Sequence, residues 1–455
     1  MFLRKQVFFV LGLSKSGKAA AEFLLRRGAV TYIYDDKTTE RIEQIAHELE
    51  LGGAKRVKKE DLPKMKELCD VLVLSPGIPV DHELAIAFKR NGRAVIGETE
   101  LAVRFMRCPI LAVTGTNGKT TTVSMLTEVL NGGGYSAQAC GNIGTPMTEL
   151  CNLPEESIAV AEISSFQMET LQSICPHVAV ILNVTEDHLN RHYNMENYVF
   201  LKAKLLKNMS ESEFAVLNYD DERVRAFAEK TKAKVLYFSI KERVRGAYYE
   251  NGALYCGKEK IIAAEELPVA GIHNIQNALA VTVVAKLMGV STEEIAAGLR
   301  RFKGVSHRIE TVAEIDGVRY VDDSKGTNVD ATLKAMEAMK DPTVLLLGGK
   351  NKGYAYDKLF AEMKNTKIIH AVLYGENRFA LLKSAREQGV ENFTLCSGGL
   401  SLATHIARLI AQAGQTVLLS PASASFDEFA NYEERGDKFA EIVRGFAASD
   451  GEKTV

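Results

Sequence analysis

Residues 109–130 read PILAVTGTNGKTTTVSMLTEVL. PILAVTG predicts a fully buried strand and VSMLTEVL a helix, with Gly115, Thr116, Asn117, Gly118, Lys119 and Thr120 packed into the turn between them. At such a junction, backbone N–H groups and the positive helix end cradle phosphates. Lys119 adds a point charge there, and Thr120 offers a hydroxyl to Mg²⁺. The strict G-x-x-x-x-G-K-[ST] pattern wants glycine where Val113 stands, so this loop is a variant of it. A strand, a phosphate loop and a helix in series mean a parallel α/β sheet.

Upstream, residues 6–13 predict a buried strand, then a turn with Gly12 and Gly17, then a helix through about Arg27. A second strand, TYIYDD, ends in Asp35 and Asp36, and a third, DVLVLSPGIP, delivers Ser75, Pro76 and Gly77 to the same edge. The turn G-L-S-K-S-G lacks the middle glycine of G-x-G-x-x-G, which argues against a nicotinamide enzyme. Downstream, SIAVAEI carries Glu162 near its end, and HVAVILNV leads to Asp187 and His188. Mg²⁺ usually accepts one or two carboxylates along with phosphates and waters, so a strand-end Glu162 facing the phosphate loop suits it. Asn251-Gly252 signals a two-residue hairpin, and GIHNIQNALAVTVVAKLMGV a long helix. The last third runs through TVAEIDGVRYVDDSK, TVLLLGG, IIHAVLYG and TVLLSPA, another parallel α/β pattern.

The chain has 455 residues, enough for about three domains. Breaks near 97 and 302 divide it into 1–97, 98–301 and 302–455. Fifty-six Lys and Arg nearly cancel 58 Asp and Glu, so no global basic field advertises nucleic acid or an anionic membrane. Anionic ligands must be held by local groups. Seven scattered cysteines, with no C-x-x-C spacing, argue for reduced thiols in a cytoplasm and against a disulfide framework or a cysteine zinc site. The start imitates a secretory signal, but Lys15 and Lys18 interrupt it, and no apolar run reaches the ~18 residues a membrane span needs.

TGTNGKTTT, GNIGTP, AEISSFQ, NVTEDHLNRHY, GIHNIQNALA, SHRIE, DDSKGTNVDAT and SPASASFDEFANYEERGDKF occur in the order seen in the Mur ligases, the ATP-dependent amide ligases of peptidoglycan synthesis. The resemblance spans nearly the whole chain. It implies a Rossmann-like N-terminal domain for the UDP-sugar substrate, a central P-loop ATPase-like α/β domain for ATP, and a C-terminal Rossmann-like α/β domain for the incoming amino acid. Within the family, the start and the final motifs look most like the members that add D-glutamate to UDP-N-acetylmuramoyl-L-alanine. No D-N-P-R motif of the diamino-acid sisters is present, and folylpolyglutamate synthase lacks this kind of first domain. A sister adding L-alanine or a diamino acid is the nearest rival reading; a nucleotide-dependent sugar-binding module without ligation is another.

The resemblance also assigns roles. Lys119 would contact the transferred phosphate within the loop Gly115, Thr116, Asn117, Gly118, Thr120 and Thr121. Thr120 and Glu162 would hold one Mg²⁺, and His188 a second beside a carbamylated lysine. Lys202 matches that lysine by its spacing from Tyr198, with Lys204 a competitor. Asn142 and His188 would line the reacting carboxylate. Asn277 would contact adenine, Arg308 a phosphate and Asp323 the ribose. Gly12, Leu13, Ser14, Asp35, Asp36, Lys37, Ser75, Pro76 and Gly77 match the uridine diphosphate region, where Asp36 and Lys37 depart from the commoner Thr-Arg pair. Lys325, Thr327, Lys352, Ser425, Phe426 and Tyr432 match the D-glutamate pocket, and Lys352 suits it better than Lys350. A cytoplasmic monomer is expected.

Overall fold

The computed structural model describes residue 3 and residues 6–269, 271–351 and 353–451. Strands β1 (Val7–Leu11), β2 (Val30–Tyr34), β3 (Lys55–Arg56), β4 (Val71–Leu74) and β5 (Ala94–Gly97) form a parallel sheet in the order β3-β2-β1-β4-β5. The order reverses at β1 and β4, where loops diverge and leave a crevice beyond the strand ends. Gly12–Ser14 and Ser75–Gly77 sit there.

The second sheet has nine strands: β6 (Ile110–Thr114), β7 (Ala137–Gly141), β8 (Ile158–Glu162), β9 (Val178–Ile181), β10 (Phe214–Asn218), β11 (Lys234–Ser239), β12 (Gly246–Glu250), β13 (Ala253–Cys256) and β14 (Glu259–Ala263). Their order is β14-β13-β12-β11-β10-β9-β6-β8-β7. β6, β8 and β9 are buried along their whole length, which is why they read as continuous apolar runs. β12 and β13 are antiparallel around Asn251 and Gly252, both at positive φ (47° and 76°), as a tight hairpin turn requires.

The third sheet comprises β15 (Glu310–Ile315), β16 (Val318–Asp322), β17 (Thr343–Gly348), β18 (Ile368–Tyr374), β19 (Phe393–Leu395) and β20 (Thr416–Leu419), ordered β15-β16-β20-β17-β18-β19. Only the β15–β16 pair is antiparallel. The chain divides into two compact units, Met1–Glu266 with Gln276–Arg301, and Leu267–Ile275 with Phe302–Val455. The first two sheets thus share one unit, and the first turn of the helix Ile272–Leu287 belongs to the second.

The helix Glu98–Val103 joins the first two sheets, and its acids are buried rather than solvated. Glu98 accepts from the N–H and hydroxyl of Thr148, and Glu100 from the N–H groups of Gln172 and Ser173. Burial pushes the Glu98 carboxyl up, while the Glu100 bonds outweigh its burial and hold that carboxyl low.

Candidate active site

The phosphate loop links β6 to the helix Lys119–Gly132. Gly118 caps that helix in the left-handed region (φ 87°), and a Cβ there would lie 2.5 Å from the Asn277 Oδ1. Only glycine lets Asn277, which is buried, approach the loop so closely. Asn183, just after β9, accepts from the Asn117 N–H (2.8 Å) and donates to the Asn117 carbonyl (3.1 Å), which holds the loop open. Thr116 adds a bond from its hydroxyl to the Thr185 carbonyl (3.0 Å) and lies 3.1 Å from the Tyr198 hydroxyl. The Thr121 hydroxyl is buried with no hydrogen-bond partner among the described residues.

Glu162 ends β8 almost fully buried, and its two oxygens are shared out. One accepts from the Thr120 hydroxyl (2.8 Å) and the other from the Asn142 amide (2.8 Å). Gly141 permits this approach, because a Cβ on it would fall 2.3 Å from the Glu162 carbonyl oxygen. Two lysines meet at one atom: Lys119 and Lys202 each donate to the Gly115 carbonyl at 2.8 Å. Lys119 also donates to the Thr116 carbonyl (2.7 Å). Lys202 is 1% exposed, and its ammonium lies 4.5 Å from the centre of the Tyr198 ring. Burial first, and then the Lys119 charge, push its amine well below the usual lysine range.

Lys204 is different. It donates to the Met168 carbonyl (2.6 Å), away from Gly115. His188 stands at the start of a short helix with φ 55°, its ring 3.5 Å from Asp187 and packed on Phe166. The structure therefore brings Gly115, Thr116, Asn117, Lys119, Thr120, Asn142, Glu162, Lys202 and Asn277 into one connected network.

In the first sheet, Asp35 accepts from the Leu13 N–H (2.6 Å) and the Lys37 N–H (2.9 Å), so its carboxylate ties the glycine turn to the end of β2. Asp36 accepts from the Tyr34 hydroxyl. Ser14 caps the helix Lys15–Arg26 without a side-chain bond.

In the second unit, Arg308 and Asn274 line a cavity of about 610 Å³, and the Arg308 Nε is buried with no hydrogen-bond partner among the described residues. Asp323 accepts from the Ser420 hydroxyl (2.7 Å), yet burial pushes its carboxyl up to about 7 against the pull of Arg308. The Lys325 ammonium lies 5.0 Å from the centre of the Tyr432 ring, Ser425 is buried, and Phe426 is exposed. Thr327 closes its turn onto the Lys325 carbonyl (2.9 Å). Lys350 is paired with Glu376 (2.6 Å); Lys352 lies outside the described residues.

Two arginines, Arg435 buried and Arg191 partly buried, were not singled out from the sequence. Arg435 donates to the Ser324 hydroxyl and carbonyl and to the Ser423 carbonyl, clamping the Lys325 loop to the Ser425 loop. Gly436 beside it leaves the His307 ring its place, since a Cβ would lie 2.1 Å from the His307 Nδ1. The one signal was the Arg-Gly pair in NYEERGDKF. Arg191, three residues past His188, is the other.

Comparison with known proteins matches residues 6–97 to the Mur ligase MurD-like N-terminal domain, 113–285 to the Mur ligase middle domain, and 307–423 to the Mur ligase glutamate ligase domain. The chain is 41% identical over 455 residues to the UDP-N-acetylmuramoylalanine–D-glutamate ligase of Pelotomaculum thermopropionicum, covering 97% of this chain and 98% of that one. The enzyme of the same name from Streptococcus mutans is 40% identical over 441 residues, 96% of each chain. Among solved structures, UDP-N-acetylmuramate-alanine ligase MurC from Thermotoga maritima has the same fold, with TM-score 0.61 at 18% identity over 97% of this chain and 99% of that one. MurF from Acinetobacter baumannii also gives TM-score 0.61, at 20% identity over 91% of each chain.

Proposed function

The chain belongs to the Mur ligase family, and from that premise we propose that it joins D-glutamate to UDP-N-acetylmuramoyl-L-alanine in peptidoglycan precursor synthesis. As a Mur ligase it is an ATP-dependent, amide-forming enzyme. The observation that carries the mechanism is the meeting of Lys119 and Lys202 on the Gly115 carbonyl, beside a Glu162 that holds Thr120 and Asn142.

An oxygen of the acceptor's terminal carboxylate attacks the γ-phosphorus; the bond to the β-phosphate oxygen breaks and ADP leaves. The D-glutamate nitrogen then attacks the acyl carbon and sheds a proton, and the C–O bond to phosphate breaks. The first step drives an anion at a polyanion, so catalysis rests on positioning and charge neutralisation. Lys119 exchanges the loop carbonyls for the transferred phosphate. Asn142, held by Glu162, and His188 line the acceptor carboxylate.

Thr120 and Glu162 would hold one Mg²⁺, and His188 with a carbamate on Lys202 a second; the hard oxygen donors of Thr120, Glu162 and the carbamate fit it. When bound, Mg²⁺ offsets the negative charge of the phosphate oxygens. Lys202 rather than Lys204 is the site of carbamylation, because only a neutral amine takes up CO₂ and Lys202 is the one buried beside Gly115. The Arg308 Nε, buried and without a hydrogen-bond partner among the described residues, supports a phosphate role for that residue, with Asp323 toward the ribose and Asn277 toward adenine. Gly12–Ser14, Asp35–Lys37 and Ser75–Gly77 take the uridine diphosphate. Lys325, Thr327, Lys352, Ser425, Phe426 and Tyr432 take D-glutamate.

The test supplies labelled D-glutamate, L-alanine or a diamino acid with UDP-muramoyl acceptors. ATP-dependent incorporation of D-glutamate, one phosphate released per amide, is expected. Preference for either of the other amino acids would refute the assignment.

A further inference from the structure

Three residues past His188, the Arg191 side chain is largely buried (14% exposed) and forks onto Glu169, itself 7% exposed. Nε donates to one Glu169 oxygen (2.9 Å) and a terminal nitrogen to the other (2.6 Å). The same terminal nitrogen also reaches the turn that leaves β4, donating to the Ile78 carbonyl (2.9 Å) and at longer range to the Pro76 carbonyl (3.4 Å), while the other terminal nitrogen donates to the Gly77 carbonyl (3.5 Å). The Phe166 ring, which also packs against His188, lies 5.1 Å from the guanidinium carbon. Two residues on, the Tyr193 hydroxyl donates to Asp81. His188 and Tyr193, at φ 55° and 69°, bracket the segment that makes both attachments.

We infer that Arg191 is a positioning residue, fixing the Pro76–Ile78 turn to the His188 segment so that the acceptor substrate is bound in register with the phosphate loop. This rests on the acceptor role proposed above for Ser75–Gly77. Three consecutive carbonyls are held, so what the guanidinium fixes is the shape of the turn rather than any one side chain. The peptides are trans; a bond to the Pro76 carbonyl therefore turns the Gly77 N–H to the opposite side of the turn. A planar fork makes these bonds and the Glu169 pair together, which the point charge of a lysine does not.

Arg191→Lys retains the charge beside Glu169 and removes the fork. Its KM for the UDP acceptor should rise about tenfold or more, with the KM values for ATP and D-glutamate within about twofold of wild type and the thermal midpoint nearly unchanged. A purely structural role would instead move all three KM values and the midpoint together, and that result overturns the inference. An unchanged acceptor KM in this variant, with normal wild-type turnover, overturns it as well while leaving the functional reading intact. No turnover of the acceptor by the wild-type protein would remove the functional reading and this inference with it. Arg191→Met should show the same selectivity more strongly; if it fails to fold, the lysine variant still decides.

Discussion

Replacing Lys202 with methionine separates a catalytic lysine from a structural one, because the two readings predict opposite balances of stability and activity. The substitution keeps the volume and removes the amine. Lost with it is the bond to the Gly115 carbonyl, a net contribution of about 1 kcal/mol. Gained is relief from burying a charge: each unit by which the folded amine lies below its free value costs about 1.4 kcal/mol in the protonated state. That penalty is complete below the lowered folded pKa. It disappears as pH rises toward the unfolded value near 10.4, so wild-type stability should climb with pH across this window while the methionine variant does not follow. The two terms oppose each other near neutrality, leaving a change within about 2 kcal/mol of zero. Turnover, by contrast, should fall at least ~100-fold, as expected when a metal-holding group is removed. The chain has no tryptophan, so unfolding in urea is best followed by circular dichroism, with phosphate release reporting turnover. Lys204→Met is the control and should retain most activity. A Lys202→Met protein that keeps more than about a tenth of wild-type turnover, or that loses several kcal/mol of stability, would refute the reasoning.

Lys119→Ala should abolish acyl-phosphate formation, and near-normal phosphate release by that variant would contradict the role given to its ammonium. Gly118→Ala should weaken ATP binding more than tenfold: φ 87° costs an L-residue about 1–2 kcal/mol, and the new Cβ meets Asn277 at 2.5 Å. Equal ATP affinities by calorimetry would show that the loop yields. Asp323, with its carboxyl raised to about 7, favours the fold while protonated, a contribution complete below its unfolded value near 3.9 and lost as pH rises through about 7. Relative to Asp323→Asn, wild-type resistance to urea should therefore decline from about pH 4 to 7 and level off above it; parallel pH courses for the two proteins would exclude it.

The long buried strands were legible because burial on both faces leaves continuous apolar runs, as in β6, β8 and β17. Short strands such as β3 (Lys55–Arg56), both residues exposed, and β19 (Phe393–Leu395) lie at sheet edges and carry no such run. The phosphate loop was legible because its strand, glycines and helix are contiguous. The choice between Lys202 and Lys204 was not, since residues two apart on a helix point about 200° apart and only packing decides which face is buried. Arg191 and Arg435 were hidden for another reason. Much of what they hold is backbone carbonyl, and an acceptor that every residue possesses leaves no complementary letter in the sequence.

The shared bond to Gly115 also bears on how one site can hold two lysines and a polyanion. Two ammonium groups at 2.8 Å from the same oxygen repel, and burial together with the Lys119 charge favours the neutral amine at Lys202. A neutral Lys202 removes the repulsion without moving any atom. Under the carbamate reading, the nitrogen still retains one N–H, enough to keep the Gly115 bond, while the added group turns a would-be cation into an anion. Lys119 would then face attraction where it had faced repulsion, and the carbamate would offer Mg²⁺ a negative oxygen donor besides Glu162. The near-zero net charge of the chain conceals this: the sign that matters is set at one carbonyl, and it changes with the state of a single buried amine.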